Sequence, residues 1–401
     1  MIKDNRLQAA KIVDRIEESA SFSVLGKAKE LEKKGEKVIH LEIGEPDFTP
    51  PKESIEALID SLNRGETHYT TAQGLIELRE EIARYEKNFR NLDISPSQVV
   101  ITPGAKPMIL FALLAAINPG EHVLYPDPGY LSYKSLISFI GAIPVPYKLD
   151  KNRSFAIDFE DLKKKINRKT TCIIINSPSN PTGMIHSREE LEEILKIAEE
   201  HNLLIISDEV YSRIYFEGHK HLSIMNLTDK HHNIILIDAF SKTYAMTGFR
   251  LGYGILPKEL VGAVVKFVQN SFSCVPEFIQ RAGITALQKG EYFIQQMVSA
   301  FSERRDKMYE ILSQVRGLRI NKPKGAFYFF PELLINISSQ EYAEYVLQNY
   351  KVALLPGNAF GDNGEGHIRI SFANSLENLI EAATRIAESI DKLEKERGLK
   401  A

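Results

Sequence analysis

The stretch Cys172-Ile-Ile-Ile-Asn176-Ser-Pro-Ser-Asn180-Pro-Thr-Gly183 joins an unbroken apolar run to a turn of proline, asparagine and glycine. A run of this kind is typical of a strand buried on both faces, as in a parallel sheet. Two X-Pro steps and a glycine indicate a rigid turn where the strand ends. Ligands of α/β sheets bind at that edge, so the stretch predicts both a sheet and a binding site. A loop without function is the alternative, but a plain loop does not need two asparagines beside prolines.

Apolar runs alternate with amphipathic segments from about residue 98 to residue 256. Strands are predicted over residues 98–102, 122–126, 172–176, 203–207, 234–238 and 252–256, with helices over 105–117 and 187–201. This alternation indicates an α/β domain around a mostly parallel sheet.

The sequence beyond residue 290 has a different pattern. A long charged helix over residues 291–315 precedes short strands over 326–330, 352–355 and 367–372 and helices over 340–350 and 375–394. This indicates a smaller α+β domain. A helix near residues 27–34 could pack on either part. We predict an N-terminal segment with part of the small domain (1–44), a large ligand-binding domain (45–290) and a C-terminal small domain (291–401).

The composition is that of an ordinary globular protein, with 43% hydrophobic and 26% charged residues among 401. A formal net charge of −3 argues against binding to nucleic acid or to an anionic membrane. No run of about 18 apolar residues predicts a membrane span, and the polar residues 1–5 lack the apolar core of a secretory signal. The only cysteines, Cys172 and Cys274, have no metal-ligand spacing, so we expect no metal and a cytoplasmic location.

A second motif, Ile205-Ile-Ser-Asp208-Glu209-Val-Tyr211, runs from an apolar strand into two acids and a tyrosine. A carboxylate at a strand end can hold a cationic nitrogen, because desolvation there strengthens the interaction. Taken alone, the motif is equally consistent with Asp208 capping a helix that follows.

A third motif is Asp238-Ala-Phe-Ser241-Lys242-Thr-Tyr-Ala-Met-Thr-Gly248-Phe-Arg250-Leu-Gly252. A lysine directly after a buried strand is a candidate Schiff-base nucleophile, since partial desolvation lowers its pKa. Arg250 and Ser241 could bind a phosphate. A surface lysine in an exposed loop is the alternative, but the apolar strand before it argues against that.

The segment Thr102-Pro-Gly104-Ala105-Lys106-Pro107 opens the predicted helix over residues 105–117. Free amides at a helix N-terminus favour a phosphate, and Gly104 allows close approach. Neither GxGxxG after a first strand nor a P-loop is present.

The order of these motifs resembles the fold-type I pyridoxal-phosphate enzymes and, within them, the class I and II aminotransferases, the aspartate aminotransferase family. Gly44-Glu-Pro-Asp-Phe48, Gly325-Ala-Phe-Tyr328 and Ile368-Arg369-Ile-Ser371 are similar to further marks of that family, and the resemblance extends from about residue 21 to 390. It implies a large domain with a mostly parallel seven-stranded sheet and a smaller α+β domain.

The resemblance also implies roles around the cofactor ring. Lys242 would bind pyridoxal phosphate as a Schiff base and, once displaced by substrate, shuttle a proton. Asp208 would pair with the pyridine nitrogen and keep it protonated. Asn180 and Tyr211 would hydrogen-bond the ring oxygen O3′, and Tyr130, where many relatives have tryptophan, would stack on the ring.

Further implied roles concern the phosphate and the substrate. The phosphate would be bound by Ser241, Arg250, the amides of Gly104, Ala105 and Lys106, and Tyr69 from the other subunit of a homodimer. Arg369 would bind the substrate α-carboxylate, helped by the backbone of Gly44 and by Asn180. In residues 367–372, Ile368, Ile370 and Phe372 share one face, so Arg369 points to the other.

The activity implied is exchange of an amino group between an L-amino acid and a 2-oxo acid such as 2-oxoglutarate, with aspartate or an aromatic amino acid as donor. A C–S lyase using the same cofactor and an alanine-type aminotransferase are the alternatives. Lys106 could receive a side-chain carboxylate, or it could contribute only its amide while Phe22 and Phe272 line an apolar pocket. A transcription regulator is disfavoured, since only about forty residues precede Gly44 and they carry no basic helix-turn-helix pattern.

Overall fold

The structure, a computed structural model, describes residues 9–400, so the polar start at residues 1–5 lies outside the described residues. The helices are α1 (Ala20–Lys33), α2 (Lys52–Asn63), α3 (Ile76–Arg90), α4 (Ala105–Ala116), α5 (Ser132–Phe139), α6 (Phe159–Lys165), α7 (Arg188–His201), α8 (Phe240–Thr243), α9 (Lys258–Ser271), α10 (Glu277–Lys289), α11 (Glu291–Leu312), α12 (Ser339–Tyr350) and α13 (Leu376–Arg397). The strands are β1 (Ile39–His40), β2 (Val99–Thr102), β3 (His122–Asp127), β4 (Ile143–Asp150), β5 (Ala156–Ile157), β6 (Thr170–Asn176), β7 (Leu204–Asp208), β8 (Ile234–Ala239), β9 (Gly252–Ile255), β10 (Leu318–Arg319), β11 (Tyr328–Phe329), β12 (Glu332–Leu333), β13 (Val352–Ala353), β14 (Leu355–Pro356) and β15 (Ile368–Ser371).

The large sheet has eight strands in the order β2-β9-β8-β7-β6-β3-β4-β5. Neighbours from β8 to β4 are parallel, whereas β9 is antiparallel to β2 and β8, and β5 is antiparallel to β4. The predicted α/β class and mostly parallel sheet are confirmed, but the predicted number of seven strands is wrong. The additional strand is β5, because the chain turns back after β4 through Lys151–Arg153 and pairs Ile157 with Leu149.

Side chains along β6 and β7 alternate between two buried layers. On one face Ile173, Ile175 and Ile205 pack with residues of α3, α7 and α10. On the other face Cys172, Ile174 and Ile206 pack with residues of α4, α5 and α9. Because helices cover both faces, these strands have no solvent side and are apolar almost throughout.

The second sheet is antiparallel and consists of β11, β15 and β14, packed with residues of α11, α12 and α13. β1 pairs in parallel with β13, and α1 buries Ala28 and Leu31 against Leu347 and Ala353. The N-terminal helix therefore packs on the C-terminal elements, a point that the sequence left open. The domain boundaries at residues 44 and 290 stay a prediction.

Within residues 9–400, no helix combines the length and the apolarity that crossing a bilayer requires. The same residues contain no group of three or more histidine, cysteine, aspartate or glutamate side chains placed to hold a metal ion. Both cysteines are free thiols: Cys172 is buried in the large sheet, and Cys274 lies in the turn before α10.

Candidate active site

A cleft of about 340 Å³ opens where β6, β7 and β8 end, next to β15 of the second sheet. This is the edge at which parallel α/β sheets bind ligands. The predicted site residues that line it are Gly44, Ala105, Lys106, Tyr130, Asn180, Asp208, Tyr211, Ser241, Lys242, Arg250 and Arg369. Gly104 lies directly behind Arg250, and Tyr69 is the predicted residue that the structure leaves on the surface.

Lys242 lies in α8, immediately after β8, and its Nζ donates to the carbonyl oxygen of Gly44 at 2.5 Å. Burial lowers the pKa of Lys242 from 10.5 to about 8. Glu45 opposes this shift, whereas the positive charge of Arg369 adds to it. An amine with a pKa near 8 is neutral in about a tenth of the molecules at pH 7, far more often than an exposed lysine, and the neutral form is the nucleophile.

Asp208 ends β7 with its carboxylate buried in the cleft floor. Its Oδ2 accepts from the Tyr133 hydroxyl at 2.6 Å, and its Oδ1 accepts from the Val210 amide at 3.4 Å. Burial raises the pKa of Asp208 from 3.8 to about 6, and among the described residues no cationic side chain forms an ion pair with it. The helix-capping interpretation is wrong, because the chain continues from β7 to the 3-10 turn Ile224–Leu227 without an intervening helix.

One asparagine ends β6 and the other lies in the turn that follows, and the two are hydrogen-bonded to each other. The Nδ2 of Asn176 donates to the backbone oxygen of Asp208 at 3.0 Å, and its Oδ1 accepts from the Asn180 amide at 2.8 Å. The Oδ1 of Asn180 in turn accepts from Nη1 of Arg369 at 3.3 Å. The first asparagine therefore ties the turn to β7, and the second reaches across to the second sheet.

A corner with the chemistry to hold an anion lies where α4 begins. No side chain caps α4, and within residues 9–400 the backbone amides of Ala105 and Lys106 have no hydrogen-bond partner. The guanidinium of Arg250 donates to the backbone oxygens of Thr247 at 2.8 Å and Pro103 at 3.1 Å. Gly104 has φ of +91°, and a Cβ there would lie 2.5 Å from Nη2 of Arg250, so only glycine fits. Free amides beside a fixed guanidinium and the Ser241 hydroxyl suit a phosphate.

Arg369 projects from β15 away from Ile368 and Ile370, which are buried in the core of the second sheet, as the alternation predicted. Its Nη2 donates to the backbone oxygen of Glu42 at 2.5 Å, but its buried Nε has no partner within the described part of the chain. Burial lowers the pKa of Arg369, and no carboxylate pairs with it in residues 9–400. A buried, incompletely bonded guanidinium facing a cleft fits a carboxylate ligand.

The mouth of the cleft contains Lys106 and Phe22. The Nζ of Lys106 lies 5.8 Å from the ring centroid of Tyr130. Phe22 lines the cleft while remaining 70% exposed. Phe272 does not line it, since its ring packs 5.9 Å from that of Phe111.

Two tyrosines at the site were not assigned roles from sequence. Tyr133 binds Asp208, and the hydroxyl of Tyr328 lies 2.8 Å from that of Tyr211. Tyr133 follows Tyr130 by three residues, a helical spacing that was the available signal for it. Tyr328 belongs to the family-like motif Gly325-Ala-Phe-Tyr328, but its hydrogen-bond partner Tyr211 is distant in the sequence.

The model of the family described as aminotransferase class I and II matches residues 36–386. The chain belongs to this family. It is therefore an aminotransferase with an α/β fold and depends on pyridoxal phosphate, as the sequence predicted.

Relatives of this class I and II aminotransferase are similar to it over nearly the whole chain. A probable aspartate aminotransferase of Methanocaldococcus jannaschii is 41% identical over 87% of this chain and 92% of its own. The aromatic-amino-acid aminotransferase 2 of Thermococcus litoralis is 38% identical over 91% and 93%. The structure of Thermus thermophilus aspartate aminotransferase with maleate has a TM-score of 0.91 at 31% identity, over 96% of this chain and 100% of that one. These names do not favour the C–S lyase alternative.

The residues of this aminotransferase fit pyridoxal phosphate. The buried carboxylate of Asp208 lacks a cation, the corner at Gly104 and Arg250 suits a phosphate, and Lys242 has a lowered pKa. A cationic ring nitrogen, a phosphate and an aldehyde are the groups that would complement these three features.

Proposed function

We propose that this aminotransferase holds its cofactor on Lys242 and moves the amino group of an L-amino acid to a 2-oxo acid. When bound, pyridoxal phosphate supplies an aldehyde that bonds to amines and a ring that withdraws electrons from the neighbouring carbon. The single observation that carries the proposal is that Lys242, Asp208 and Arg369 line one cleft, and that within residues 9–400 neither Asp208 nor Arg369 has a partner of opposite charge.

In this proposal Lys242 has two functions. Its neutral amine binds the cofactor aldehyde, and its lowered pKa supports that function. When a substrate amine takes its place, the released Nζ would accept a proton from the substrate Cα and donate it to the cofactor carbon that had been the aldehyde carbon. The carbonyl of Gly44, which holds Nζ at 2.5 Å, restricts the direction from which the amine approaches.

The residues around Lys242 hold the rest of the cofactor. Asp208 keeps the ring nitrogen protonated, and a hydrogen bond from Tyr133 keeps its carboxylate in place. Tyr211 and Asn180 bind O3′, and Tyr130 stacks on the ring. The phosphate would be bound by Ser241, by Arg250 and by the backbone amides of Gly104, Ala105 and Lys106 at the start of α4, of which the Gly104 amide donates to the Thr102 carbonyl in this structure.

The substrate class follows from the two ends of the cleft. Arg369 and Asn180 bind the α-carboxylate that all substrates share, next to the backbone of Gly44. Discrimination falls to the other end, where Lys106 would favour a second carboxylate and Phe22 an apolar group. We propose aspartate or an aromatic amino acid as donor and 2-oxoglutarate as acceptor, supported by relatives named for both donors.

The proposed active site includes a residue from a second subunit. We propose a homodimer in which Tyr69 of each subunit reaches the phosphate in the other. The cytoplasmic location and the division at residues 44 and 290 stay predictions.

A donor panel with 2-oxoglutarate tests the substrate class. Aspartate, phenylalanine, tyrosine and alanine are compared by kcat/KM in the wild type, in Lys106→Ala and in Lys266→Ala. Lys266 is the matched control because it is exposed on α9, outside the cleft. A loss confined to aspartate in Lys106→Ala supports the carboxylate role. An equal loss for every donor contradicts it and favours the apolar pocket.

A further inference from the structure

Tyr328 lies on β11 between the residues proposed for the cofactor and those proposed for the substrate. It lines the cleft, and only 1% of its surface is exposed. Its hydroxyl is 2.8 Å from that of Tyr211, and its ring centroid is 4.5 Å from Cζ of Arg369. The Tyr328 side chain thus contacts both Tyr211, proposed to bind the cofactor, and Arg369, proposed to bind the substrate.

The hydroxyl contact restricts where the Tyr211 proton can point. Each phenol carries one proton, so only one of the two hydroxyls donates in this pair. Within residues 9–400 the Tyr328 hydroxyl has no hydrogen-bond partner other than Tyr211. If Tyr328 donates, Tyr211 accepts and its own proton is free to point into the cleft. Burial raises the pKa of both phenols, so both remain protonated at neutral pH.

The ring contact acts on Arg369. An aromatic face 4.5 Å from a guanidinium attracts it, most strongly where water is excluded. The Tyr328 hydroxyl also limits the backbone opposite, because a Cβ at residue 44 would lie 2.1 Å from it. Glycine is therefore required at residue 44, whose carbonyl accepts from Lys242.

We propose that Tyr328 is a positioning residue with two separable functions. Its hydroxyl orients the Tyr211 proton toward the cofactor oxygen, and its ring holds Arg369 in position for the substrate carboxylate. The inference rests on the roles of Tyr211 and Arg369 in the proposed function, and it adds a physical link between them.

Two substitutions separate the functions. Tyr328→Phe removes the hydroxyl and keeps the ring, whereas Tyr328→Leu removes both. The control is Tyr342→Phe, because Tyr342 is also fully buried and donates or accepts a 2.8 Å hydrogen bond with Ser389, but lies outside the cleft. The readouts are the pH midpoint of the visible absorption band of the holoenzyme and the Kd of maleate and of 3-phenylpropanoate, two carboxylates without an amino group.

We expect Tyr328→Phe to raise the spectral midpoint by roughly half to one pH unit. The reason is that Tyr211 then donates less strongly to O3′, and the negative charge left there favours the proton on the neighbouring nitrogen. Carboxylate affinity should stay within about twofold of the wild type, whereas Tyr328→Leu should weaken it roughly 5–30-fold. Tyr342→Phe should change neither.

Each function can fail by itself. A midpoint in Tyr328→Phe equal to that of Tyr342→Phe overturns the role of the hydroxyl, and unchanged carboxylate affinity in Tyr328→Leu overturns that of the ring. Failure of the proposed function is recognised separately, since the wild type would then carry no pyridoxal phosphate on Lys242.

Discussion

At the scale of single residues, Asp208 is a carboxylate whose burial opposes its charge. Its hydrogen bonds come from Tyr133 and from the Val210 amide, neither of which is charged. Burial without a neighbouring cation destabilises the charged form, so the pKa of Asp208 is raised from 3.8 to about 6. A protonated ring nitrogen would reverse this balance by stabilising the carboxylate. The apoprotein and the holoenzyme should therefore respond differently to pH.

The prediction for the apoprotein follows from linkage. The folded state binds the Asp208 proton more tightly than the unfolded chain, so its contribution to stability is fully present below about pH 4 and is lost as the pH rises through about 6. In Asp208→Asn the side chain does not titrate over this pH range. The variant should therefore gain stability relative to the wild type between pH 4 and pH 7, measured by urea denaturation without cofactor. A difference that does not change with pH would contradict the assigned pKa shift.

At the scale of elements, a buried ion cluster joins α3 to the ends of β7 and β8. Arg90 donates to Glu86 at 2.7 Å, to Glu209 at 3.1 Å and to Asp238 at 2.5 Å. Glu209 follows Asp208 and points to the opposite side of the sheet, while Asp238 lies four residues before Lys242. The cluster therefore fixes the two strand ends that carry the proposed catalytic groups.

Removing the cation should leave buried Glu86 and Asp238 with only neutral hydrogen-bond donors, whereas Glu209 keeps its contact with His221. Arg90→Leu should lower the free energy of unfolding by about 3–5 kcal/mol, as for other broken buried pairs. Arg188→Leu on α7 is the control, because Arg188 pairs with Glu192, both side chains are more than half exposed, and such a pair is worth less than about 1 kcal/mol. Urea denaturation of both variants measures the difference. Equal destabilisation would show that the buried cluster contributes no more than a surface pair.

The strands with unbroken apolar runs were predictable from sequence within one or two residues, because burial on both faces leaves no polar alternation. β4 was not, since Pro144, Pro146 and Lys148 interrupt its pattern. Residues 143–148 of β4 pair with β3, but β5 covers its other side only at Leu149 and Asp150. Prolines at positions two apart have their nitrogens on the same side of a strand. Proline is tolerated where that side is an edge without a partner strand, because no N–H group is needed there.

The site residues likewise divide into those that the sequence could predict and those that it could not. Side chains directly after buried strands, such as Asp208 and Lys242, could be predicted, because strand ends converge on one edge. The contact of Tyr328 with Tyr211 could not, because it depends on how the second sheet packs against the first. No local pattern in the sequence encodes that packing.

At the scale of the whole molecule, Tyr69 is a proposed site residue that lies on the surface, outside the cleft of its own chain. It is 87% exposed, although the next residue is anchored: the Thr70 hydroxyl accepts from Nε2 of Gln280 at 3.2 Å. An exposed aromatic on an anchored segment is consistent with a role in a partner subunit.

Mixing two defective variants tests that role. Tyr69→Ala and Lys242→Ala chains are combined, allowed to exchange subunits and titrated with limiting pyridoxal phosphate. If Tyr69 acts in trans, each hybrid dimer regains one intact site, and about a quarter of the wild-type number of tight, active sites should appear. If Tyr69 acts within its own subunit, mixing restores none.

The identity of the lysine that carries the cofactor can be measured directly. Borohydride reduction of the purified holoenzyme, followed by proteolysis and mass spectrometry, identifies that lysine as a pyridoxyl-modified peptide. We predict the modification on Lys242, in the peptide that follows β8, and its loss in Lys242→Ala. A pyridoxyl group on Lys106 or any other lysine in the wild type, with Lys242 unmodified, would contradict the account.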